Sequence, residues 1–171
     1  MGPIPVILFG KPGPMKLISR QDIEAPIAFV FAALKDFDAW ERAALRRGAD
    51  VVRMDKLSDA LPSLSWRIRF VYRGKERKLA LQLTDLQQPT SMGFVGNGTS
   101  IDGMARIDLM ELAARRTRLS VAMDLRPRTI GARLIMQSLR LAKTRLNRRF
   151  SDRVGRLCAE IETRYRQSNR A

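Results

Sequence analysis

The stretch that decides the fold is residues 129–166, which read TIGARLIMQSLRLAKTRLNRRFSDRVGRLCAEIETRYR. Its apolar side chains recur at steps of three or four residues, a spacing that places them on one face of an α-helix. This stripe consists of Ile135, Leu139, Ala142, Leu146, Phe150, Val154, Leu157, Ile161 and Tyr165. Cations cover much of the remaining surface, at Arg140, Lys143, Arg145, Arg148, Arg149, Arg153 and Arg156. Such a helix needs a complementary apolar surface, which we expect the preceding part of the chain to supply.

The length of this helix limits how it can fit a single domain. A straight helix over residues 129–166 would be about 57 Å long, whereas a compact domain of this chain length is about 40 Å across. We therefore expect the helix to break or to overhang, and Gly131 and Gly155 are the positions at which a break costs least.

The middle of the chain has the period of two that is typical of β-strands. Residues 63–73 are the clearest example, because Trp66, Ile68, Phe70 and Tyr72 alternate with Arg67, Arg69, Val71 and Arg73. The same alternation predicts strands at residues 49–57, 79–84, 91–95, 99–112 and 119–125, separated by short turns such as Gly74-Lys75 and Gly96-Asn97-Gly98. Short turns predict antiparallel pairing, and one apolar face per strand predicts a sheet covered on one side.

One more predicted strand, residues 16–24, precedes these and is followed by two short helices. Pro26 can start the first helix, because its missing N–H costs nothing there. Asp36 or Asp38 can cap the second helix and Gly48 can end it. The predicted fold class is therefore α+β, an antiparallel sheet of about six to seven strands wrapped around a long C-terminal α-helix.

The amino-acid composition limits which catalytic and metal-binding sites the protein can contain and which partners its charge favours. The chain has 171 residues, 45% of them apolar, with one cysteine and no histidine. Without histidine, the commonest general base, the commonest metal ligand and the Ser–His and Cys–His pairs are absent. The net charge of +15 would attract anionic membranes, nucleic acid or acidic partners. An equally good explanation is that arginine serves as the ordinary surface cation, since the charge is spread along the chain.

The ends of the chain differ from its middle. Residues 1–14 are rich in proline and glycine, and we interpret them as a loose N-terminal extension before a single domain over residues 15–167, with a short tail at 168–171. The extension lacks the basic start and small-residue cleavage site of a signal peptide. The single Cys158 requires no oxidising compartment. We expect a cytoplasmic protein, either free or peripheral at the membrane.

The order of elements resembles the SRPBCC or START-like helix-grip superfamily over about residues 15–166. That group includes START lipid-binding domains, birch-pollen-allergen-like proteins, aromatic polyketide cyclases and coenzyme Q-binding proteins, with many bacterial members. The segments that carry the resemblance are Ile23–Ile27, Val30-Phe31, Asp36–Trp40, Leu119–Val121 and Asp124–Pro127. The resemblance implies an apolar cavity between sheet and long helix that takes lipids, polyketides or other hydrophobic molecules. It transfers no catalytic residue and implies no cofactor.

The side chains expected to point into this cavity are apolar or aromatic. They are Trp66, Phe70, Tyr72, Leu81, Leu83, Phe94, Leu109, Val121, Met123, Ile135 and Leu139. The alternative is a solid core that the same residues fill, since aromatic stripes on strands are frequently core. A candidate face for an anionic membrane consists of Arg140, Lys143, Arg148 and Arg149, and a solvated helix face explains the same residues.

Several other patterns have a simpler structural explanation. Gly93, Gly96, Gly98 and Gly103 fit no phosphate-binding loop and predict a hairpin or bulge. The carboxylates Asp102, Asp108 and Glu111 could include a general base, but pairing with Arg106, Arg67 or Arg118 is the simpler expectation. No metal site is legible, and Cys158 is expected to be a small buried hydrophobe rather than a nucleophile.

We therefore predict a non-enzymatic module that binds, or transports, a hydrophobic small molecule or lipid. Two other interpretations stay open. One is a cyclase or dehydratase that uses a carboxylate or tyrosine in the same cavity, with Tyr72 as the candidate acid. The other is an adaptor that works through its basic face at a membrane without a ligand. With only 6% aromatic residues and no DNA-reading module, no specific nucleic acid is expected.

Overall fold

The computed structural model describes residues 15–54 and 64–170. Seven strands and four helices are present in this part of the chain, in the order β1 (Met15–Ile23), α1 (Ile27–Lys35), α2 (Phe37–Arg46), β2 (Asp50–Arg53), β3 (Ser65–Tyr72), β4 (Lys75–Gln87), β5 (Ser91–Gly98), β6 (Ile101–Ala113), β7 (Arg116–Pro127), α3 (Ile130–Leu141) and α4 (Lys143–Ser168). The predicted extension at residues 1–14 and the end of the predicted strand at 49–57 lie outside the described residues.

The strands form one antiparallel sheet in the order β1-β7-β6-β5-β4-β3-β2. Strands β3 to β7 follow one another through short connections, β2 pairs with β3, and β1 joins the far edge by pairing with β7. The helices α1 and α2 carry the chain from one edge of the sheet to the other. The predicted α+β fold class and its two short helices after the first strand are confirmed.

Local signals explain where several of these elements begin and end. Asp36 caps α2 by accepting a hydrogen bond from the Ala39 N–H at 3.0 Å, and Gly48, at a φ of +84°, follows the last turn of that helix. The β3–β4 turn lies one residue earlier than predicted, at Arg73-Gly74. Both residues have positive φ, 51° and 73°, as a two-residue type I′ hairpin requires.

The predicted turn at Gly96-Asn97-Gly98 is wrong, because β5 continues through Gly98 and the chain reverses at Thr99-Ser100. A Cβ at Gly98 would lie only 2.5 Å from the Ile101 carbonyl oxygen, so this tight reversal needs glycine at its start.

The C-terminal stretch is two helices rather than one. The break lies at Ala142, with φ −101° and ψ 15°, whereas Gly131 and Gly155 both lie inside helices. The inward stripe also changes phase there, because Ala132 and Met136 are buried in α3 while Val154, Cys158 and Ile161 are buried in α4. The α4 helix alone, at 26 residues, spans about 39 Å. It therefore fits a domain of this size without overhanging.

Candidate ligand-binding groove

The inner face of the sheet carries the apolar side chains that the alternation predicted. Register pairs Trp66 with Leu81, and Leu83 with Phe94, across neighbouring strands. Leu109 pairs with Leu119 in the same way, and Ile107 with Val121. Directly paired residues point to the same side of a sheet. The strand residues predicted to point inward therefore share one face.

This face is covered unevenly along its length. At one end, which we call the closed end, Trp66, Leu83, Met92, Leu109 and Leu119 are at most 6% exposed. They belong to one core cluster with Val30, Phe31 and Leu34 of α1 and with Val154, Cys158 and Ile161 of α4. At the other end, which we call the open end, Ile68, Leu81, Phe94, Ala105 and Met123 are only partly buried. The α4 helix packs mainly along β1, and α3 contacts β7, so the middle strands are less covered there.

Two glycines on the inner face of the open end leave room for neighbouring leucine side chains. Gly96 and Gly103 lie opposite each other in β5 and β6. A Cβ at Gly96 would approach Leu79 Cδ1 to 3.2 Å, and one at Gly103 would approach Leu125 Cδ2 to the same distance. The two leucine side chains therefore lie across positions that have no side chain of their own. A predicted bulge is also confirmed, since the register of β4 shifts between Leu83 and Asp85, opposite Gly93.

Two residues predicted to line the cavity are largely exposed. Ile135 is 59% exposed, because α3 is a separate helix whose inward side chains are Ala132 and Met136. Tyr72 is 55% exposed at the last position of β3, where the Arg73 guanidinium lies 5.4 Å from its ring centroid. Tyr72 is therefore not a buried acid. Leu139, the other predicted helical residue, is partly buried.

A polar contact that the sequence pattern did not indicate joins α2 to the sheet at the closed end. Glu41 of α2 accepts hydrogen bonds from Trp66 Nε1 and from Arg53 Nε, both at 2.7 Å, and Arg53 also pairs with Asp38. The Phe37 ring packs against Trp66 at a centroid distance of 5.2 Å. Nothing in the sequence distinguishes Glu41 from an ordinary surface carboxylate, because its partners come from two other elements.

A second polar seam joins β1 to α4. The Ser19 and Ser151 hydroxyls lie 3.0 Å apart, and Gln21 Nε2 donates to Ser151 at 3.2 Å. The Ile18 N–H donates to Asn147 Oδ1 at 2.9 Å. These contacts hold α4 along the edge strand, which leaves the middle strands of the open end uncovered.

Two of the three carboxylates considered as general bases, Asp102 and Asp108, lie on the outer face of the sheet, whereas Glu111 is exposed near the end of β6. Asp108 pairs with Arg106 at 2.9 Å, as predicted, whereas Asp102 pairs with Arg128 at 3.6 Å. Arg118 pairs instead with Asp22 at 2.8 Å. Asp102 and Asp108 alternate with the inward residues of β6, so they point away from the groove.

Cys158 is 4% exposed. Burial, and secondarily the charge of Glu162, raises the pKa of its thiol to about 12. At neutral pH the group is therefore a neutral thiol, and the prediction of a buried hydrophobe is confirmed. Within residues 15–54 and 64–170, His, Cys, Asp and Glu side chains form no group able to hold a metal ion. No helix in those ranges combines the length and hydropathy that crossing a bilayer requires.

A pocket lies beside the open end, between the end of β7 and α3. Its volume is about 370 Å³, and it is lined by Arg126, Pro127, Arg133, Met136, Gln137 and Arg140. Of these, only Arg140 belonged to a predicted site. The sequence does contain one signal of a cationic site here, because no acidic residue occurs between positions 125 and 151 to neutralise the arginines.

Comparison with known proteins gives matches to solved structures only, because no protein-family model and no curated protein matches the sequence. The aromatase/cyclase ZhuI from Streptomyces sp. R1128 superposes with a TM-score of 0.64 at 16% identity, over 87% of this chain and 94% of that one. A conserved protein from Geobacillus kaustophilus gives 0.63 at 13% identity, over 87% and 96%.

A START superfamily protein from Mycobacterium smegmatis gives a TM-score of 0.55 at 14% identity, over 83% of this chain and 98% of that one. At these identities the likeness concerns the fold. The sheet order, the two helices after β1 and the C-terminal α4 lying along the sheet are common to this group. The chain is therefore a START-like helix-grip protein by fold.

Proposed function

We propose that this protein binds, or transports, a hydrophobic small molecule or lipid in the groove at the open end of the inner face. The observation that carries the proposal is the gradient of burial, because side chains of the same apolar character are sealed at the closed end and partly exposed at the open end. Partly exposed apolar surface is favourable to cover with an apolar ligand. The fold neighbours, a START superfamily protein and an aromatase/cyclase, support a ligand-binding fold.

The predicted lining residues take different roles in this proposal. Phe70, Leu81, Phe94, Val121, Met123 and Leu139 would contact the ligand, because all are partly buried. Trp66, Leu83 and Leu109 would form the inner wall, because they are already packed in the core cluster. Binding rather than catalysis is proposed, since the acids that were considered, Tyr72, Asp102 and Asp108, lie outside the groove.

The direct test is organic extraction of the purified protein followed by mass spectrometry, combined with titration of a fluorescent fatty acid. We expect a co-purified apolar compound or saturable binding of the probe. A protein that carries no apolar compound and binds no probe would contradict the proposal.

A matched pair of variants locates the site. Ala105→Trp places an indole on the inner face beside Met123 and Phe94, and should weaken probe binding by at least about tenfold by filling the groove. Ala80→Trp places the same indole on the outer face, where position 80 is exposed, and should leave binding unchanged. Equal binding by both variants would place the ligand elsewhere.

We also propose that the cationic residues of the C-terminal helices face an anionic membrane. Arg140, Lys143, Arg148 and Arg149 are all exposed. Each cation near an anionic bilayer contributes about 1 kcal/mol to binding. Because Lys143, Arg148 and Arg149 point in different directions around α4, some of them rather than all four would contact one bilayer at the same time. A solvated helix face would show no such binding, which vesicle flotation can measure.

A further inference from the structure

The α3 helix has an apolar face that nothing in the described part of the chain covers. Leu141 is 94% exposed, Ile130 78%, Leu134 61% and Ile135 59%. On a helix, positions 130, 134 and 141 form one stripe, and position 135 lies beside it on the side toward the buried Ala132 and Met136. The helix is therefore apolar both where it meets the protein and where it meets solvent. A helix that only covers the domain would present polar residues outward.

Positive charge predominates around this face, although Arg128 at the start of the segment pairs with Asp102 at 3.6 Å. Between residues 128 and 151 the chain contains seven cations and no carboxylate, the cations being Arg128, Arg133, Arg140, Lys143, Arg145, Arg148 and Arg149. A second copy of the chain would bring the same positive charge to the contact and would be repelled. A surface of anionic lipid is complementary both to the charge and to the exposed leucines.

The pocket between α3 and β7 adds a specific element to this surface. Arg126, Arg133 and Arg140 line it together with Gln137, while Pro127 and Met136 supply apolar walls. Positions 133, 137 and 140 occupy the flank of α3 next to the exposed leucine stripe. Arg126 also pairs with Asp124 at 3.8 Å. The guanidinium groups around the pocket together carry the kind of charge and hydrogen-bond donors that bind the phosphate or carboxylate of a lipid headgroup.

We propose that α3 lies in the interface of an anionic membrane, with Ile130, Leu134 and Leu141 among the acyl chains and a lipid headgroup in the arginine-lined pocket. This inference rests on the proposed membrane-facing role of the basic residues and names the segment that inserts. The docked protein holds the open end of its groove beside the bilayer. A hydrophobic ligand can then pass between membrane and groove without crossing water.

Flotation with vesicles tests the docking. The full-length protein should float with phosphatidylcholine vesicles that contain phosphatidylserine, should float much less with phosphatidylcholine alone, and should be released by high salt. Leu134→Glu/Leu141→Glu should weaken binding by at least about tenfold, because it places two carboxylates where acyl chains would lie. The matched control is Met110→Glu/Leu112→Glu, which adds the same charge to exposed apolar positions at the opposite end of β6 and should keep at least half of the parent's binding.

A fluorescent label tests insertion without altering the charge. Because the Cys158 thiol is buried and has a raised pKa, a cysteine introduced by Leu134→Cys can be labelled selectively with an environment-sensitive dye. Its emission should shift to the blue with anionic vesicles, while the dye at Met110→Cys should not shift. Arg133→Gln/Arg140→Gln should weaken flotation by about tenfold or more, as expected for the loss of two cations.

Three results would overturn the inference. These are absence of flotation with anionic vesicles, equal flotation with neutral ones, and binding by Leu134→Glu/Leu141→Glu equal to that of the folded parent. A concentration-dependent dimer that the same substitutions dissociate, without vesicle binding, would assign the apolar face to a second copy instead. Titration with the fluorescent fatty acid in the absence of vesicles distinguishes failure of the docking proposal from failure of the ligand-binding proposal. A protein that binds ligand but does not bind membranes would still bind this probe.

Discussion

The closed and open ends of the sheet are built from the same kinds of residue and differ in what covers them. At the closed end, α1, α2 and α4 converge on Trp66, Leu109 and Leu119, whose side chains are buried. At the open end, Leu81 and Phe94 of the middle strands remain partly exposed, because α4 packs mainly along the edge strand β1 and α3 contacts β7. One face thus combines a buried core with partly exposed apolar side chains, which form the surface that we propose a ligand covers. The four predictions below test this division.

The largest difference between the two ends should appear in stability. Phe31→Ala removes a 1% exposed ring from the closed end and should lower the free energy of unfolding by about 3–5 kcal/mol. Met123→Ala at the open end should cost only about 1 kcal/mol, because its side chain has fewer contacts to lose. Urea denaturation monitored by circular dichroism measures both values. Similar costs would mean that the groove is as well packed as the core.

The Glu41 contact should give the next largest effect. Glu41→Ala leaves the indole N–H of Trp66, a 5% exposed residue, without its acceptor and removes a partner of Arg53. The expected loss is about 1–3 kcal/mol in the free energy of unfolding. Glu76→Ala is the control, since its 4.0 Å pair with Lys78 near the β3–β4 turn is exposed and should be close to neutral. Equal values would show that α2 does not fasten the closed end through Glu41.

The hydroxyl pair between β1 and α4 should contribute less. Ser151→Ala leaves the hydroxyl of Ser19, which is 3% exposed, without this partner and should cost about 1 kcal/mol. Ser19→Ala/Ser151→Ala should cost less than the sum of the two single changes, because the pair is lost only once. Strict additivity in this double-mutant cycle would mean that the two hydroxyls do not interact.

The smallest predicted effect is on the pH dependence of stability, and it comes from an ion pair on the outer face of the sheet, away from the closed end. The Arg118 guanidinium, helped by Arg116, lowers the pKa of Asp22 below its usual 3.8. Because the folded pKa is the lower one, Asp22 stabilises the fold above about pH 3.8, and this contribution is lost as the pH falls through the folded pKa. Asp22→Asn should therefore narrow the difference in melting temperature between about pH 7 and pH 2. Asp152→Asn, at an exposed position of α4, should narrow it less.

Alternation was enough to predict the sheet, because a period of two determines the face of each residue and short turns determine the antiparallel order. It could not predict how deeply each residue is covered. Leu81 and Leu83 have the same period, but Leu83 lies within the core cluster and is 3% exposed, whereas Leu81 packs at the margin of that cluster and is partly exposed. Tyr72 was assigned correctly to the inner face by its period, but its position at a hairpin turn leaves it uncovered.

The position of the helix break was missed for a related reason. Apolar residues continue at steps of three or four through Ala142, so the pattern gives no sign of a change in direction. A glycine does not interrupt a helix that contacts with neighbouring elements stabilise. Gly155, for example, lies within α4 and faces Gln21 of β1. The arginine-lined pocket was missed because residues on β7 and on α3 approach each other only after the chain turns at residues 128–129.

The break at Ala142 also restricts how α3 can move. The helix is attached at both ends, to β7 through residues 128–129 and to α4 through Ala142, and α4 is in turn bonded along β1. A segment attached at both ends cannot pivot away from the domain about one end. The movements left to it are a small rotation about its own axis and a small shift along that axis. Met136 and Leu134 lie on nearly opposite sides of α3, so the two attachments oppose a roll that would bring Leu134 against the sheet, and the exposed stripe keeps its direction relative to the domain.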